Sequence, residues 1–177
     1  MKKQVVMPSA YQHITHTFDP VYDENAKVLI LGSMPSVKSR EQQFYYGHPQ
    51  NRFWKVLARM LDEMEPEDIA QKRAFLLHNR IALWDVIASC DIVGSSDSSI
   101  KNVKENDMRV IFNKAKIQAI FLNGGKAYEL FIKYCQQYIQ KDAPKLVKLP
   151  STSPANASWS LEELTDIWKK EWMQFSQ

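Results

Sequence analysis

The residues best suited to chemistry lie in one short segment, from Phe44 to Trp54. The segment reads Phe-Tyr-Tyr-Gly-His-Pro-Gln-Asn-Arg-Phe-Trp, so it places aromatic rings, amide groups and a cation side by side. An aromatic face can stack on a flat heterocycle, and fixed amides can hydrogen-bond to the edge of that heterocycle. The segment therefore predicts a binding site for a planar ring such as a nucleobase.

Parts of this segment also have a purely structural interpretation. Asn51 stands just before an apolar helical stripe, where its side chain could cap the helix. We expect Phe53 and Trp54 to pack in the core. Tyr45 and Tyr46 are adjacent, so their side chains cannot share one direction. We expect one of the two to pack and the other to face the site.

Two loops rich in small polar residues accompany the aromatic segment. The first is Gly32-Ser33-Met34-Pro35-Ser36, and the second is Pro150-Ser151-Thr152-Ser153-Pro154-Ala155-Asn156. Backbone N–H groups and hydroxyls in such turns can hold phosphate oxygens. Ordinary turn chemistry explains either loop taken singly. Both loops at one edge of the same sheet would form an anion-binding surface.

Four short apolar runs predict the strands that must position these loops, because unbroken apolar runs are typical of strands covered on both faces. They are residues 27–31, 81–86, 117–122 and 146–150. Strands alternating with helices predict one domain over residues 1–177, an α/β fold with three α/β/α layers around a central, four-stranded, mainly parallel sheet. Ligands of such sheets bind beyond the carboxyl ends of the strands.

Helical periodicity fills the intervals between the strands. Five helices are predicted. The first carries the apolar stripe Phe53, Leu57, Met60 and Leu61, and the second spans residues 66–77 with Pro66 in its first turn. The third carries Val103, Val110 and Ile111, the fourth carries Tyr128, Phe131, Ile132 and Cys135, and the last carries Leu161, Leu164, Trp168 and Trp172. Ser160 and Glu163 have the spacing of a capping box, which would begin the last helix.

Composition narrows the classes of function. The chain has 177 residues and is 45% hydrophobic, enough for a core, and its net charge of +3 is compatible with a nucleic-acid partner without requiring one. Cys90 and Cys135 lie in apolar settings, and we expect buried free thiols. Two cysteines are too few for a four-cysteine iron–sulfur or zinc site. No apolar run is long enough to cross a membrane.

The four histidines show no metal-binding spacing. His13 and His16 could share a helix face, but no carboxylate follows them at a useful distance. We therefore expect no metal and no other cofactor.

Three segments together resemble the uracil-DNA glycosylase superfamily: residues 32–36, 45–54 and 149–154. The stretch His-Pro-Gln-Asn-Arg-Phe-Trp-Lys at 48–55 is similar to the mismatch-specific uracil and thymine glycosylases. The Gly-Ser start of the first loop, the Tyr-Tyr pair and the Pro-Gln-Asn sequence resemble the hypoxanthine (deoxyinosine) DNA glycosylase branch most closely. The resemblance spans about residues 27–172.

The resemblance implies a uracil-DNA glycosylase-like fold and a base-excision repair enzyme. The implied reaction is hydrolysis of the N-glycosidic bond of a deaminated base, hypoxanthine first, by a monofunctional glycosylase without a metal. The implied partner is double-stranded DNA that contains such a base, bound by a monomer in the cytoplasm and away from membranes. Two alternatives stay open: a G:U or G:T mismatch-specific uracil/thymine glycosylase, and a non-catalytic module that binds damaged DNA.

The resemblance also assigns roles, with two departures from the family pattern. The first loop of the superfamily carries Asp or Asn two places after its glycine, where it positions water. Here that place holds Met34, whose thioether cannot orient water. The His or Asn of the last loop, which assists the leaving base, is replaced by Ser151. These departures move the catalytic role to Asn51, as in the hypoxanthine branch, and they also favour the non-catalytic alternative.

Tyr46 matches the ring that stacks on the flipped base, and Asp85 aligns with the side chain that reads the base edge. A carboxylate there could accept the N1–H of hypoxanthine, although Asp85 could equally cap a turn. The other residues implied around the base are Ser33, Met34 and Asn123. The residues implied to contact DNA are Gly32, Pro35, Ser36, Ser151, Thr152, Ser153, Pro154 and Asn156.

Overall fold

The computed structural model describes residues 10–141 and 144–175. In chain order its strands are β1 (Gln12–Thr15), β2 (Val28–Gly32), β3 (Ile81–Asp85), β4 (Ile87–Ile92), β5 (Lys101–Glu105), β6 (Ala119–Asn123) and β7 (Lys145–Leu149). Four of them form a parallel sheet in the order β3-β2-β6-β7. All residues of β2, β3 and β6 are buried, as strands covered on both faces require. The predicted four-stranded sheet is therefore confirmed.

Six α-helices accompany the strands in the described part of the chain. They are α1 (Val37–Gln42), α2 (Phe53–Leu61), α3 (Ile69–His78), α4 (Arg109–Phe112), α5 (Gly125–Tyr134) and α6 (Leu161–Trp172). Helices flank the parallel sheet and confirm the predicted α/β/α layers: α3 contacts β3, α5 contacts β6 and β7, and α6 packs on α2 and β7. The capping box that begins α6 is present, with Ser160 and Glu163 exchanging both bonds.

Two predicted helical boundaries are wrong. Helix α3 begins at Ile69 and not at Pro66, because the carboxylate of Asp68 accepts a hydrogen bond from the backbone N–H of Gln71 and caps the helix there. Val103 lies in β5 and not in a helix. The helix predicted around it shrinks to the single turn of α4, because residues 101–105 pair with β4.

A second, antiparallel sheet was not foreseen. Its strand order is β1-β4-β5, and its central strand β4 starts two residues beyond the end of β3. His13 lies in β1 and His16 follows its end, so the two histidines do not share a helix face. The backbone N–H of His16 donates to the carbonyl of Ala88 at 2.7 Å, which extends the pairing of β1 with β4.

One buried hydrophobic cluster joins the two sheets. It contains residues 28–31 of β2 and 119–122 of β6 and reaches Ile87, Cys90 and Ile92 of β4. Cys90 and Cys135 are buried and free, as predicted, and burial raises the pKa of the Cys135 thiol to about 12. Among residues 10–141 and 144–175 no helix is long and apolar enough to span a membrane.

Candidate active site

A cavity of about 150 Å³ opens at the carboxyl edge of the parallel sheet. It is smaller than the pockets that hold drug-sized ligands, so it suits one small planar molecule. Twelve of the residues predicted for the site line it: Gly32, Ser33, Met34, Pro35, Ser36, Tyr46, Asn51, Asp85, Asn123, Ser151, Thr152 and Ser153. Asn156 lies in an adjacent groove that it shares with Ser151 and Ser153, and Pro154 is exposed beside them.

Asn51 is held by its side-chain oxygen. That Oδ1 accepts from the backbone N–H of Phe53 and from the Oγ1 hydroxyl of Thr152, each at 2.9 Å. The N-cap position of α2 is Arg52, which makes no side-chain cap bond, so Asn51 holds the N–H of the first helical residue from one place earlier, and it also lines the cavity. Because two donors already occupy the oxygen, the Nδ2 amide is the group of Asn51 that can act on a bound molecule.

Thr152 and Asn123 form the support beneath Asn51. The amide Nδ2 of Asn123 donates to Thr152 Oγ1 at 3.0 Å, and Asn123 Oδ1 accepts from the Thr152 backbone N–H at 3.0 Å. Thr152 is fully buried, and its carbonyl accepts from the backbone N–H of Arg52. Its polar atoms are therefore used inside the protein, and we assign Thr152 to holding Asn51 and not to contacting DNA.

Arg52 ties the aromatic segment to the last loop. Its Nη2 donates to the carbonyls of Ser153 and Asn156, both at 3.0 Å, and its Nη1 donates to the carbonyl of Trp159. The sequence did not indicate this role, because these partners lie more than a hundred residues away. The loop that lines one side of the cavity is thus fixed to the residue that follows Asn51.

Tyr46 contributes an aromatic wall. Its ring stacks on Phe53, with centroids 3.9 Å apart and planes at 19°, and its hydroxyl accepts from Asn123 Nδ2 at 3.1 Å. Burial, followed by the nearby charge of Asp85, raises the pKa of Tyr46, so its hydroxyl stays protonated. Its φ of +52° lies in the left-handed region, a strained conformation for a bulky residue that the surrounding packing must maintain.

The other residues of the aromatic segment pack as predicted. Tyr45, Phe53 and Trp54 are buried, and the Tyr45 hydroxyl donates to the carbonyl of Asp19. Tyr45 belongs to the buried core, yet both Tyr45 and Tyr46 line the cavity, so the two adjacent tyrosines divide only in part.

Asp85 lies at the back of the cavity, where β3 ends. Its Oδ2 is 2.8 Å from His16 Nε2, and the side chains are only 5% and 2% exposed. A Cβ at Gly32 would lie 2.7 Å from Asp85 Oδ1 and 2.9 Å from the Tyr46 hydroxyl, so only glycine fits between them. His16 was missed in the sequence because 69 residues separate it from Asp85.

The second sheet also supplies part of the rim. Asp97, in the connection between β4 and β5, lines the cavity, and its Oδ1 accepts from the Ser33 hydroxyl at 3.3 Å. This contact spans 64 residues and has no signal in the local sequence. Met34 lines the cavity and packs against the core. A thioether therefore stands two places after Gly32, where the superfamily carries Asp or Asn.

Several hydroxyls of the polar loops are used within the loops. Ser36 Oγ accepts from the Ser39 N–H and caps α1, and Ser151 Oγ accepts from the N–H of Ser153. Gly124 has a φ of +99°, and a Cβ there would lie 3.0 Å from the Ser151 Cβ, which explains a glycine at this crossing. In the described part of the chain no cluster of three His, Cys, Asp or Glu side chains could hold a metal.

Comparison with known proteins agrees with this geometry. Residues 20–173 match the model of the uracil DNA glycosylase superfamily. The chain belongs to that superfamily. The resemblance read from residues 32–36, 45–54 and 149–154 is thereby confirmed.

Two curated relatives carry the name hypoxanthine DNA glycosylase. The protein from Methanosarcina acetivorans is 37% identical over 150 residues, which cover 83% of this chain and 91% of the relative. The protein from Methanosarcina barkeri is 35% identical over 114 residues, covering 63% and 72%. A solution NMR structure of a Methanosarcina acetivorans protein assigned to the uracil DNA glycosylases superposes with a TM-score of 0.72 at 35% identity, covering 86% of this chain and 92% of that one.

Proposed function

We propose that this protein is a monofunctional DNA glycosylase that removes hypoxanthine from double-stranded DNA. The observation that carries the proposal is a cavity sized for one base, with the Asp85 carboxylate at its back and the Asn51 amide on its wall. The names of the two curated relatives support hypoxanthine as the base. We place the enzyme in the cytoplasm as a monomer, where its DNA substrate would be available.

Recognition begins when the nucleotide leaves the duplex. Extrusion costs a few kcal/mol and costs least for a poorly paired base, which favours a lesion over normal pairs. Phe53 covers one face of the Tyr46 ring, so the base would stack on the other face. The Asp85 carboxylate would accept the N1–H of hypoxanthine, a donor that adenine lacks.

The chemistry follows from the groups that remain available. As the bond from C1′ to N9 breaks, its electron pair moves to the purine and positive charge builds on the sugar. The Asn51 Nδ2 amide would donate to the negative charge that develops, while Oδ1 stays with Phe53 and Thr152. Water then adds to C1′ and its proton passes to the purine anion, giving neutral hypoxanthine and an abasic sugar without strand cleavage.

The groove beside the cavity would carry the DNA backbone. Its lining includes Gly125, Lys148 and Asn156, and it shares Asp97, Ser151 and Ser153 with the cavity. The Lys148 ammonium and the small residues suit contact with phosphates. The DNA contacts of Gly32, Pro35, Ser36, Ser151, Ser153, Pro154 and Asn156 are part of this proposal.

A panel of duplexes tests the choice of base. Each contains hypoxanthine, xanthine, uracil or thymine opposite a defined base, and alkaline cleavage of the abasic product reports excision. We expect hypoxanthine to be released fastest. Faster release of uracil or thymine opposite guanine would instead establish the mismatch-specific alternative. Tight binding of the inosine duplex with no base release would establish the non-catalytic one.

Substitution of Asn51 tests the mechanism. We expect Asn51→Ala to slow single-turnover excision by more than tenfold, which is at least about 1.4 kcal/mol of transition-state stabilisation. Asn51→Asp is the matched control, because it keeps an oxygen for Phe53 and Thr152 and replaces the Nδ2 donor by a charged acceptor. If the aspartate variant keeps wild-type rates, donation by Nδ2 is not the role of this residue.

A further inference from the structure

The resemblance assigns Asp85 to the site, but no sequence pattern indicates its buried partner, His16. We infer that His16 is a positioning residue that holds the Asp85 carboxylate as a hydrogen-bond acceptor towards the base. The pocket would then select bases with a ring N–H beside a carbonyl. This inference rests on the proposed glycosylase function and adds a specificity determinant to it.

The geometry divides the two oxygens of Asp85 between two tasks. Oδ2 lies 2.8 Å from His16 Nε2, behind the cavity. Oδ1 lies over the backbone of Gly32, which lines the cavity, close to the place where the Tyr46 hydroxyl stands. With Oδ2 bonded to a ring N–H, the carboxylate cannot rotate freely, and Oδ1 stays on the cavity side.

The second sheet fixes His16 in its place. The backbone N–H of His16 donates to Ala88 of β4, and the preceding Thr15 pairs with Ser89. The His16 ring packs on Phe18, with centroids 4.4 Å apart, and lies 5.9 Å from the Tyr45 ring. A histidine held by backbone pairing and by ring contacts can orient its partner at little further cost in conformational entropy.

A hydrogen-bond acceptor at Asp85 Oδ1 distinguishes bases that carry a ring N–H from bases that do not. Hypoxanthine and xanthine carry N1–H and uracil carries N3–H, each beside a carbonyl, whereas adenine and cytosine present a ring nitrogen acceptor there. Two facing acceptors repel, so adenine and cytosine lose the bond and leave a buried carboxylate without it. Guanine shares the N1–H, and the higher cost of extruding a well-paired base opposes its entry.

Two substitutions at His16 separate positioning from packing. His16→Phe keeps an aromatic ring against Phe18 but removes the Nε2–H, and His16→Gln keeps an N–H near the Nε2 position but removes the ring. We expect His16→Phe to slow single-turnover excision from an inosine duplex about tenfold, and His16→Gln to stay within about threefold of wild type. A merely structural role would reverse that order, since Gln loses the ring contacts.

A double-mutant cycle then shows whether His16 acts through Asp85. With Asp85→Ala already present, adding His16→Phe should change the rate by less than about twofold. Equal fold-losses in both backgrounds would overturn the positioning role. Circular dichroism and thermal unfolding confirm that each variant is folded. A folded wild-type protein that releases none of the four bases overturns the glycosylase proposal itself, whereas an active wild type with an unchanged His16→Phe variant overturns only this inference.

Discussion

Two His–Asp pairs, one within β1 and one just after it, have the same N···O distance and differ sharply in burial. His13 Nδ1 lies 2.8 Å from Asp91 Oδ1, with side chains 65% and 26% exposed. His16 Nε2 lies 2.8 Å from Asp85 Oδ2, with side chains 2% and 5% exposed. Both pairs join β1, or the residue after it, to a partner distant in sequence.

Equal distances do not mean equal energies. Water screens the His13–Asp91 pair and can replace either partner, and exposed pairs contribute little to stability. Water cannot replace a partner in the buried His16–Asp85 pair, so loss of one residue would leave the other buried without a hydrogen bond. The buried pair can therefore set the orientation of a group, while the exposed pair cannot. Four substitutions would sharpen or break this contrast.

The largest expected effect belongs to Asp85→Ala. It leaves His16 buried without its partner, and we expect the free energy of unfolding to fall by about 3 kcal/mol. Urea denaturation at neutral pH measures the change. Asp91→Ala is the matched control on the exposed pair and should lower the urea midpoint only slightly. Similar midpoints for the two variants would mean that burial does not separate the pairs.

Thr152→Val tests another buried contact, on the parallel-sheet side. The change keeps the shape and removes the hydroxyl between Asn51 Oδ1 and Asn123 Nδ2. We expect a loss of about 2 kcal/mol in unfolding free energy, because two buried groups lose a partner. Thr152→Ser keeps the hydroxyl and should recover most of that loss. No difference between Val and Ser would remove the hydroxyl from the network.

Ser160→Ala asks whether exposure alone makes a contact weak. Ser160 is exposed, yet its Oγ accepts from the Glu163 N–H, which has no partner inside the helix. We expect a loss of about 1 kcal/mol, measured by thermal unfolding. Ser160→Thr preserves the cap and serves as the control. A negligible loss would mean that this cap contributes as little to the unfolding free energy as the exposed His13–Asp91 pair.

The smallest effect concerns the pH dependence of the exposed pair. Hydrogen bonds from Asn102 and His13 hold the pKa of Asp91 below its usual value. A depressed folded-state pKa stabilises the protein above the unfolded-state pKa, about 4, and this contribution is lost as the pH falls through the folded-state pKa. The small difference in melting temperature between wild type and Asp91→Asn should therefore be present at pH 6 and vanish in more acidic buffer. A difference that grew in acid would contradict the sign.

The parallel sheet could be predicted because β2, β3 and β6 are unbroken apolar runs that end in polar loops. The antiparallel sheet could not, since β1 and β5 are short, polar and partly exposed, so neither shows apolar alternation. Pro66 predicted a helix that starts there, but the side-chain cap at Asp68 makes α3 begin at Ile69. Local sequence patterns thus predict the loops that follow the parallel strands. They do not predict the antiparallel sheet, which depends on pairing between strands distant in the sequence.

The same limit explains which site residues were found. Tyr46, Asn51 and Asp85 stand in recognisable local sequence, and the cavity collects all three. His16 and Asp97 reach the site only through the second sheet, by contacts that span 69 and 64 residues. A single sequence carries no signal for such contacts, because each residue taken alone resembles an ordinary polar residue.

The bonds of Arg52 have a consequence for redesign of the last loop. Arg52 donates hydrogen bonds to the main-chain carbonyls of residues 153, 156 and 159. Every amino acid, proline included, supplies such a carbonyl. The side chains of the exposed residues Pro154 and Ala155 are thus free of that anchor. A library of variants at these two positions should keep the fold, so the DNA contacts proposed for this loop can be varied while its anchor stays in place.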